Sequence, residues 1–364
     1  MKKKSGNLKF IILCFILIFP KLSFSQTSIR GIILSHDEKP IEKVNISLKN
    51  TTIYSESDSN GLFTIIIPPN VVESELYLSR VGYNDTTINY NYLISDKVIF
   101  LNSSGILSEV VVKKKKSFLL KNQLKQIETS LVGTNHYSKF CEILNLDSFI
   151  ILTNKDHSFN YYSNEFITII NRALGYKIKV RLGMCSINGI SRSYNIKSIQ
   201  YIPLVPSSEK EKIFYEKNRE KIFSTTSKGF FTALAMKTYD KDFIIYKKVT
   251  EEPLTYPRFL GEEIKNKNLI LVSPDSIIIT KLEEERYHFS FDKPLFVFLK
   301  KESSDSNFFY DIKLKFFICD FLRDSMTFDK YGNNFLPFSY IVPDNTEGYF
   351  ERLIPKDYLP SYLK

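Results

Sequence analysis

The sequence predicts an all-β N-terminal module followed by an α+β domain in which helices come first and an antiparallel sheet after. Three observations carry this. Across residues 29–112 short apolar runs alternate at period two, with turn residues about every 8–12 positions. From about residue 117 apolar side chains recur at helical spacing. From residue 243 onward, strand-like runs follow one another.

The chain opens with "MKKKSGNLKF", then "IILCFILIF", then "PKLSFSQ". A basic head, a short apolar run and the small residues Ser23 and Ser25 predict a signal peptide over 1–25, cleaved after Ser25. The apolar run is shorter than the roughly 20 residues of a spanning helix. Cys14 lies inside that run after Leu13, which is not the setting of a lipid-modified cysteine. The formal charge is +10; Lys2, Lys3, Lys4, Lys9 and Lys21 leave with 1–25, where there is no acid, so the mature chain carries about +5. The basic character is therefore partly a property of the targeting segment, and an exported chain has no nucleic-acid partner to meet. No later apolar run is long enough for a transmembrane span.

Within 26–112, "IRGIIL" is a strand, "HDEKPIEKV" a turn, and "VNISLKN" a strand with Val44, Ile46 and Leu48 on one face. "LFTIII", "ELYLSRVGY", "TTINY", "KVIFL" and "EVVV" complete seven or eight strands, the pattern of a β-sandwich. Before "LFTIII" stands "ESDSNG", residues 56–61, where Glu56, Asp58 and Asn60 alternate like the start of a calcium loop. The loop's bidentate acid would fall at Ile67, in an apolar strand, so the stretch is turn chemistry instead. Asp58 accepts from nearby backbone N–H groups there, and Asn60-Gly61 suits positive φ.

"KKKK" at 113–116 reads as a solvated basic linker, 113–118. The α+β domain spans 119–364. Leu120, Leu124, Ile127 and Leu131 line one helix face. "SKFCEILNL" continues as helix, and "NEFITIINRALGYKIKVRL" is helix up to Leu174, a stop at Gly175, and then a strand. "SIQYIPL" is a strand. "SEKEKIFYEKNREKIFSTTSKGFFTALAMKTYDKD" is helical, with Ser208 as N-cap and Glu211 three residues on. "YGNN" marks a hairpin turn in the strands that follow. Of the three cysteines left after cleavage, Cys141, Cys185 and Cys319, either a Cys141–Cys185 bridge or three buried thiols fits.

In order and spacing, "IRGIIL", "KPIEKVNISLKNT", "SDSNGLFTIIIP", "LYLSRVGYNDTTI", "VIFL" and "LSEVVV" resemble the carboxypeptidase regulatory-like domain. That is a transthyretin-like, Ig-like, seven-stranded sandwich common in exported Bacteroidota proteins. The remainder is similar to the exported family labelled "carboxypeptidase-like regulatory domain-containing protein". The segments that carry this are "CEILN" (141–145), "NRALGYKIKVRL" (171–182), "NREKIFSTTSKGFFTAL" (218–234) and "GYFERLIPKDYLP" (348–360). The resemblance is to the non-catalytic accessory domain of carboxypeptidases, and it implies no cofactor.

Catalytic patterns are weak. Neither HxxE nor HExxH starts at His36, His136, His157 or His288. "GISRS" at 189–193 lacks the second glycine of a nucleophile elbow, and no P-loop is present. Cys141, five residues after His136, sits in an apolar context. Glu283–Glu285 and Glu251 with Glu252 read as surface charge. The aromatic runs "FNYYSNEF" and "INYNYL" read as half core, half rim, with sugar stacking as the sharper alternative. No residue is assigned a catalytic, cofactor-binding or metal role. The expectation is a non-enzymatic exported cell-envelope protein, periplasmic or at the outer membrane and cell surface. Its partner would be an envelope protein or glycan, with peripheral outer-membrane association. The alternative is an exported hydrolase of glycan or peptide with its site in 119–364.

Overall fold

The computed structural model describes residues 26–72, 75–92, 97–104, 118–134, 136–156, 158–189, 191–249, 269–273, 276–282, 286–290, 295–299, 316–321, 325–333, 339–343 and 353–363. The signal segment, the "EVVV" run, most of the basic linker and both acidic pairs lie outside them. The chain is mostly β-strand in several largely antiparallel sheets, with four described α-helices.

Seven strands come first: β1 (Thr27–Ser35), β2 (Asn45–Leu48), β3 (Tyr54–Glu56), β4 (Leu62–Ile67), β5 (Glu75–Ser79), β6 (Thr86–Asn89) and β7 (Lys97–Leu101). They form one sheet in the order β4-β1-β7 and another in the order β3-β2-β5-β6. β1 runs antiparallel to β4 and parallel to β7. Period-two patterning does what it should in β4, where Phe63, Ile65 and Ile67 are buried and Leu62, Thr64 and Ile66 exposed. Both sheets feed one hydrophobic cluster: Ile29, Ile33, Phe63, Ile65 and Ile99 from the first, Ile46, Leu48, Leu76 and Leu78 from the second.

The helix α1 (Phe118–Val132) forms as its spacing predicts. Ile127 and Leu131 are fully buried, with Leu120 and Leu124 packed on the same cluster. The next stretch corrects the sequence expectation. "SKFCEILNL" is not helical but a 3-10 turn over His136–Phe140 followed by the strand β8 (Cys141–Ile143). Nor is there a helix up to Leu174. Beyond β9 (Ile150–Thr153) and β10 (Phe159–Tyr162), residues 167–182 are a hairpin of β11 (Ile167–Asn171) and β12 (Tyr176–Leu182). The β-branched "ITII" alternates in burial as a strand does. Gly175, with φ 65°, closes the hairpin instead of ending a helix. After β13 (Cys185–Asn188), β14 (Ser191–Ser193) and β15 (Ile196–Pro203), the two sheets are β14-β13-β10-β9 and β15-β12-β11-β8. They share a second cluster with α1. Cys141 and Cys185 both lie on it and form no disulfide, which removes the bridge between them.

Helices therefore do not precede the sheets as a block: eight strands separate α1 from the next helix. The charged helical run also divides, into α2 (Glu209–Phe223), α3 (Ser227–Ala235) and the short α4 (Tyr239–Asp242). Ser208 caps α2 by accepting from the Glu211 N–H at 3.2 Å. The Glu211 carboxylate reaches back one residue further than a capping box requires, to the Ser207 N–H and hydroxyl. The α2–α3 break is sharp because Gly229 leaves room for the Phe223 carbonyl, while the Thr226 hydroxyl accepts from the Gly229 N–H.

Eight strands follow: β16 (Phe243–Lys248), β17 (Leu269–Leu271), β18 (Ile278–Lys281), β19 (Arg286–Ser290), β20 (Leu295–Leu299), β21 (Phe316–Phe321), β22 (Ser325–Asp329) and β23 (Ser339–Pro343). Their sheets are β17-β16-β20-β21-β23 and β18-β19-β22, joined to α3 by a third cluster around Phe230, Phe231, Val297 and Phe328. "YGNN" does make a tight turn, with Gly332 at φ 76°. It is not a hairpin, because β22 and β23 belong to different sheets.

Candidate functional site

Two segments far apart in sequence meet on α2 beside Arg219. The hairpin tip 171–175 comes first. Asn171 Oδ1 accepts from the N–H groups of Ala173 and Leu174, which folds the chain back on itself. That turn presents three carbonyls outward. Asn218 donates to the Ala173 carbonyl at 2.9 Å, and Arg219 donates to the carbonyls of Leu174 and Gly175 at 2.6 and 3.0 Å. The guanidinium also lies 4.1 Å from the Tyr176 ring centroid, a cation–π contact. A helix thus grips a hairpin through its backbone carbonyls, with the Tyr176 ring adding a side-chain contact.

The last segment, 353–363, runs across this clamp like a strap. Leu353 and Ile354 pack on the central cluster. The Tyr358 ring meets Phe223 of α2 edge-on, and the Ser361 hydroxyl donates to Glu220 at 2.6 Å. Lys228 of α3 donates to the Lys356 carbonyl at 2.6 Å. The strap also reaches the N-terminal strands: the Lys356 N–H donates to the Asn50 carbonyl at 2.8 Å, and the Asp357 carboxylate accepts from the Thr52 N–H at 2.9 Å and from its hydroxyl.

Electrostatics follow the burial. Loss of solvent pushes the Tyr176 phenol up to about 12, against the pull of Arg219. Burial lowers the Lys228 ammonium to about 8, while Asp329 and Asp357 draw it back up. Glu211 is held down at about 2 because the Ser207 and Tyr215 hydroxyls and the Ser207 N–H all donate to it.

A second joint lies beside the clamp. Residues 50 and 51 run along β15, with the Asn50 N–H donating to the Ile199 carbonyl and the Tyr201 N–H to the Thr51 carbonyl. Arg181 of β12 pairs with Asp85, Nε to carboxylate at 2.6 Å, both side chains largely buried. The same guanidinium donates to the Asn164 carbonyl and lies over Phe166, whose ring meets Tyr77 edge-on. The outer face of β3-β2-β5-β6 is thus docked against the central sheets.

The residues weighed in the sequence fall elsewhere. The Cys141 thiol donates to the Tyr137 carbonyl at 3.6 Å, and the His136 ring lies against Tyr137 and Phe140. Phe159 and Tyr161 of "FNYYSNEF" are core residues, 2% and 0% exposed, and form no sugar platform. Tyr90 of "INYNYL" packs on the first cluster. His36 hydrogen-bonds Asn102 at 2.6 Å and stacks on Phe100. Among the described residues no group of three His, Cys, Asp or Glu side chains is placed to hold a metal, and no helix is long and apolar enough to cross a membrane.

Arg219, Arg181, Asp85 and Asp357 stand in no local motif of their own. Their signal was present only collectively. "NRALGYKIKVRL", "NREKIFSTTSKGFFTAL" and the strap's "IPKDYLP" were singled out for their likeness to a family, and these three segments build the clamp. No family model matches the chain, and no curated protein matches it.

Proposed function

We propose that this is a non-enzymatic exported protein of the cell envelope, a β-sandwich recognition or assembly module held by a second, partner-binding region. The module, 26–112, is read as a transthyretin-like sandwich. Support for that comes from seven strands in two sheets around one cluster. The observation that carries the recognition reading is the contrast between the module's two outer faces. The outer face of β3-β2-β5-β6 is covered: Ser47 and Tyr77 are 1% and 2% exposed. The outer face of β4-β1-β7 is not. There Leu62, Ile32 and Val98 stand side by side across all three strands, with Leu34 beside Phe100 in the next row. Leu62, Ile66, Val98 and Phe100 are each about half exposed. Contiguous apolar surface on a folded module marks an interaction site, and the edge of β7 gives a partner strand a place to pair.

The partner class is an envelope protein or glycan, and the setting is the periplasm or the outer-membrane surface with peripheral attachment. The test is pull-down from native envelope with the intact protein and with Val98→Asp/Phe100→Asp, alongside protease shaving of whole cells. The intact protein should recover an envelope protein or glycan that the variant loses. Equal recovery by both, or no stable partner from either, would sink the proposal.

A further inference from the structure

The docked face of the N-terminal strands carries a feature that the recognition reading does not use. Tyr77, Ser198 and Gln200 are 2%, 2% and 1% exposed; Ser198 Oγ and Gln200 Oε1 have no hydrogen-bond partner in the protein, and the Tyr77 hydroxyl has only the Asp85–Arg181 pair beside it. All three sit where β2 and β5 meet β12 and β15. Tyr77 is opposite Ser47 in the β2–β5 pairing, and its hydroxyl feels both Asp85 and Arg181. Ser198 is the cross-strand neighbour of Arg181. Gln200, two residues along the same face, donates through Nε2 to Asn45 Oδ1 at 3.4 Å. The Phe166 ring borders the spot, against Tyr77 on one side and Arg181 on the other.

Buried polar atoms rarely go unbonded, because each one left so costs about 1–3 kcal/mol. Two on one seam, with a buried phenol between them and the Arg181–Asp85 pair, point to a shared partner. Its chemistry can be read from what they offer. Two hydroxyls give and take a hydrogen bond, and an amide oxygen takes one. Lys179, opposite Gln200 on β12, repels a cation, and Arg181 and Asp85 already neutralise each other at 2.6 Å. An ion would have to break that pair. A small neutral molecule that both donates and accepts does not.

We propose that this seam is a built hydration site. Ordered water bridges Tyr77, Ser198 and Gln200 beside the Arg181–Asp85 pair, so the N-terminal strands dock on the central sheet through water rather than through dry packing. Water bonded to otherwise unpaired groups is part of a fold and counts nearly as a direct hydrogen bond.

Two measurements on the full chain test it. A high-resolution crystal structure should show water within hydrogen-bond distance of the Tyr77 hydroxyl and of Ser198 Oγ; direct protein partners for both atoms, or no water at either, overturn the proposal. A thermal melt of Ser198→Ala gives an independent reading. If water bonds this hydroxyl, the variant loses about 2–4 °C in Tm. If it is dry and unpaired, removing it leaves Tm unchanged or raises it, and that result overturns the proposal.

Discussion

Two turns in this protein are built alike and were legible to very different degrees. At 58–62, Asp58 Oδ1 accepts from the N–H groups of Asn60 and Leu62, both at 2.9 Å, and Gly61 sits at φ 75°. At 171–175, Asn171 Oδ1 accepts from Ala173 and Leu174 at 3.1 and 3.0 Å, and Gly175 sits at φ 65°. Only the first reads as a turn from its sequence. The second is preceded by "EFITIINRAL", whose apolar residues fit a helix and a strand equally well, so its glycine looks like a helix stop. An Asx–Gly signal says that the chain turns; the flanking period says what it turns between. Their neighbours differ too. A Cβ on Gly61 would strike the Ile33 carbonyl oxygen, a fixed part of a sheet, whereas one on Gly175 would strike the Tyr215 ring, a side chain.

That contrast orders the expected effects. Gly61→Val should be the most damaging, losing roughly 3–5 kcal/mol by adding left-handed strain to a clash with backbone that cannot move. Chemical denaturation measures it, and a loss under 1 kcal/mol would mean the turn rearranges. Added calcium should leave the wild-type Tm where it is, because Asp58 is already occupied by two amides and Ile67 is 2% exposed. Gly175→Ala should cost less, about 2–3 kcal/mol, since the Tyr215 ring can give way. A double-mutant cycle with Tyr215→Ala should show clear coupling; strict additivity would place the strain in the backbone alone.

Arg219→Ala should cost about 2 kcal/mol by leaving the Leu174 carbonyl without its donor and the Gly175 carbonyl with only the Leu204 N–H. Hydrogen exchange should quicken at the tip 172–175 and not at 58–62. Equal quickening at both turns would show that the clamp is not local. The smallest effect is acid-dependent. Glu211 titrates at about 2 in the folded chain against an ordinary 4.5, so its carboxylate contribution is whole above pH 4.5 and fades as pH falls toward 2. Circular dichroism should show α2 weakening over that window in wild type, and Ser207→Ala should move the change toward higher pH. No shift in that variant would count against the Ser207 bonds as the first cause.

How much was legible follows the same line. The N-terminal strands, α1 and the Ser208 cap were readable because each depends on residues within a turn or a strand of one another. Residues 138–146 and 164–174 read as helix because apolar residues stand at both periods, and the pairing that decides the matter is with strands elsewhere. "FNYYSNEF" reads as half core, half rim, and β10 is so: Phe159 and Tyr161 face inward because two sheets close over them, while Asn160 and Tyr162 are half-buried. The clamp was legible only as segments that drew attention together, with no hint of which residues would touch.

By itself the sequence determined where the N-terminal strands run, that the chain turns at 58–62 and which face of α1 is apolar, since hydrophobic period and Asx–Gly chemistry act over a few residues. Tertiary structure alone decided that 167–182 is a hairpin, that Asp357 meets Thr52 across 305 positions, and that Arg181 finds Asp85. A hydrogen bond between distant polar residues leaves no local pattern. Either partner, seen alone, looks like ordinary surface until the fold removes the water around it.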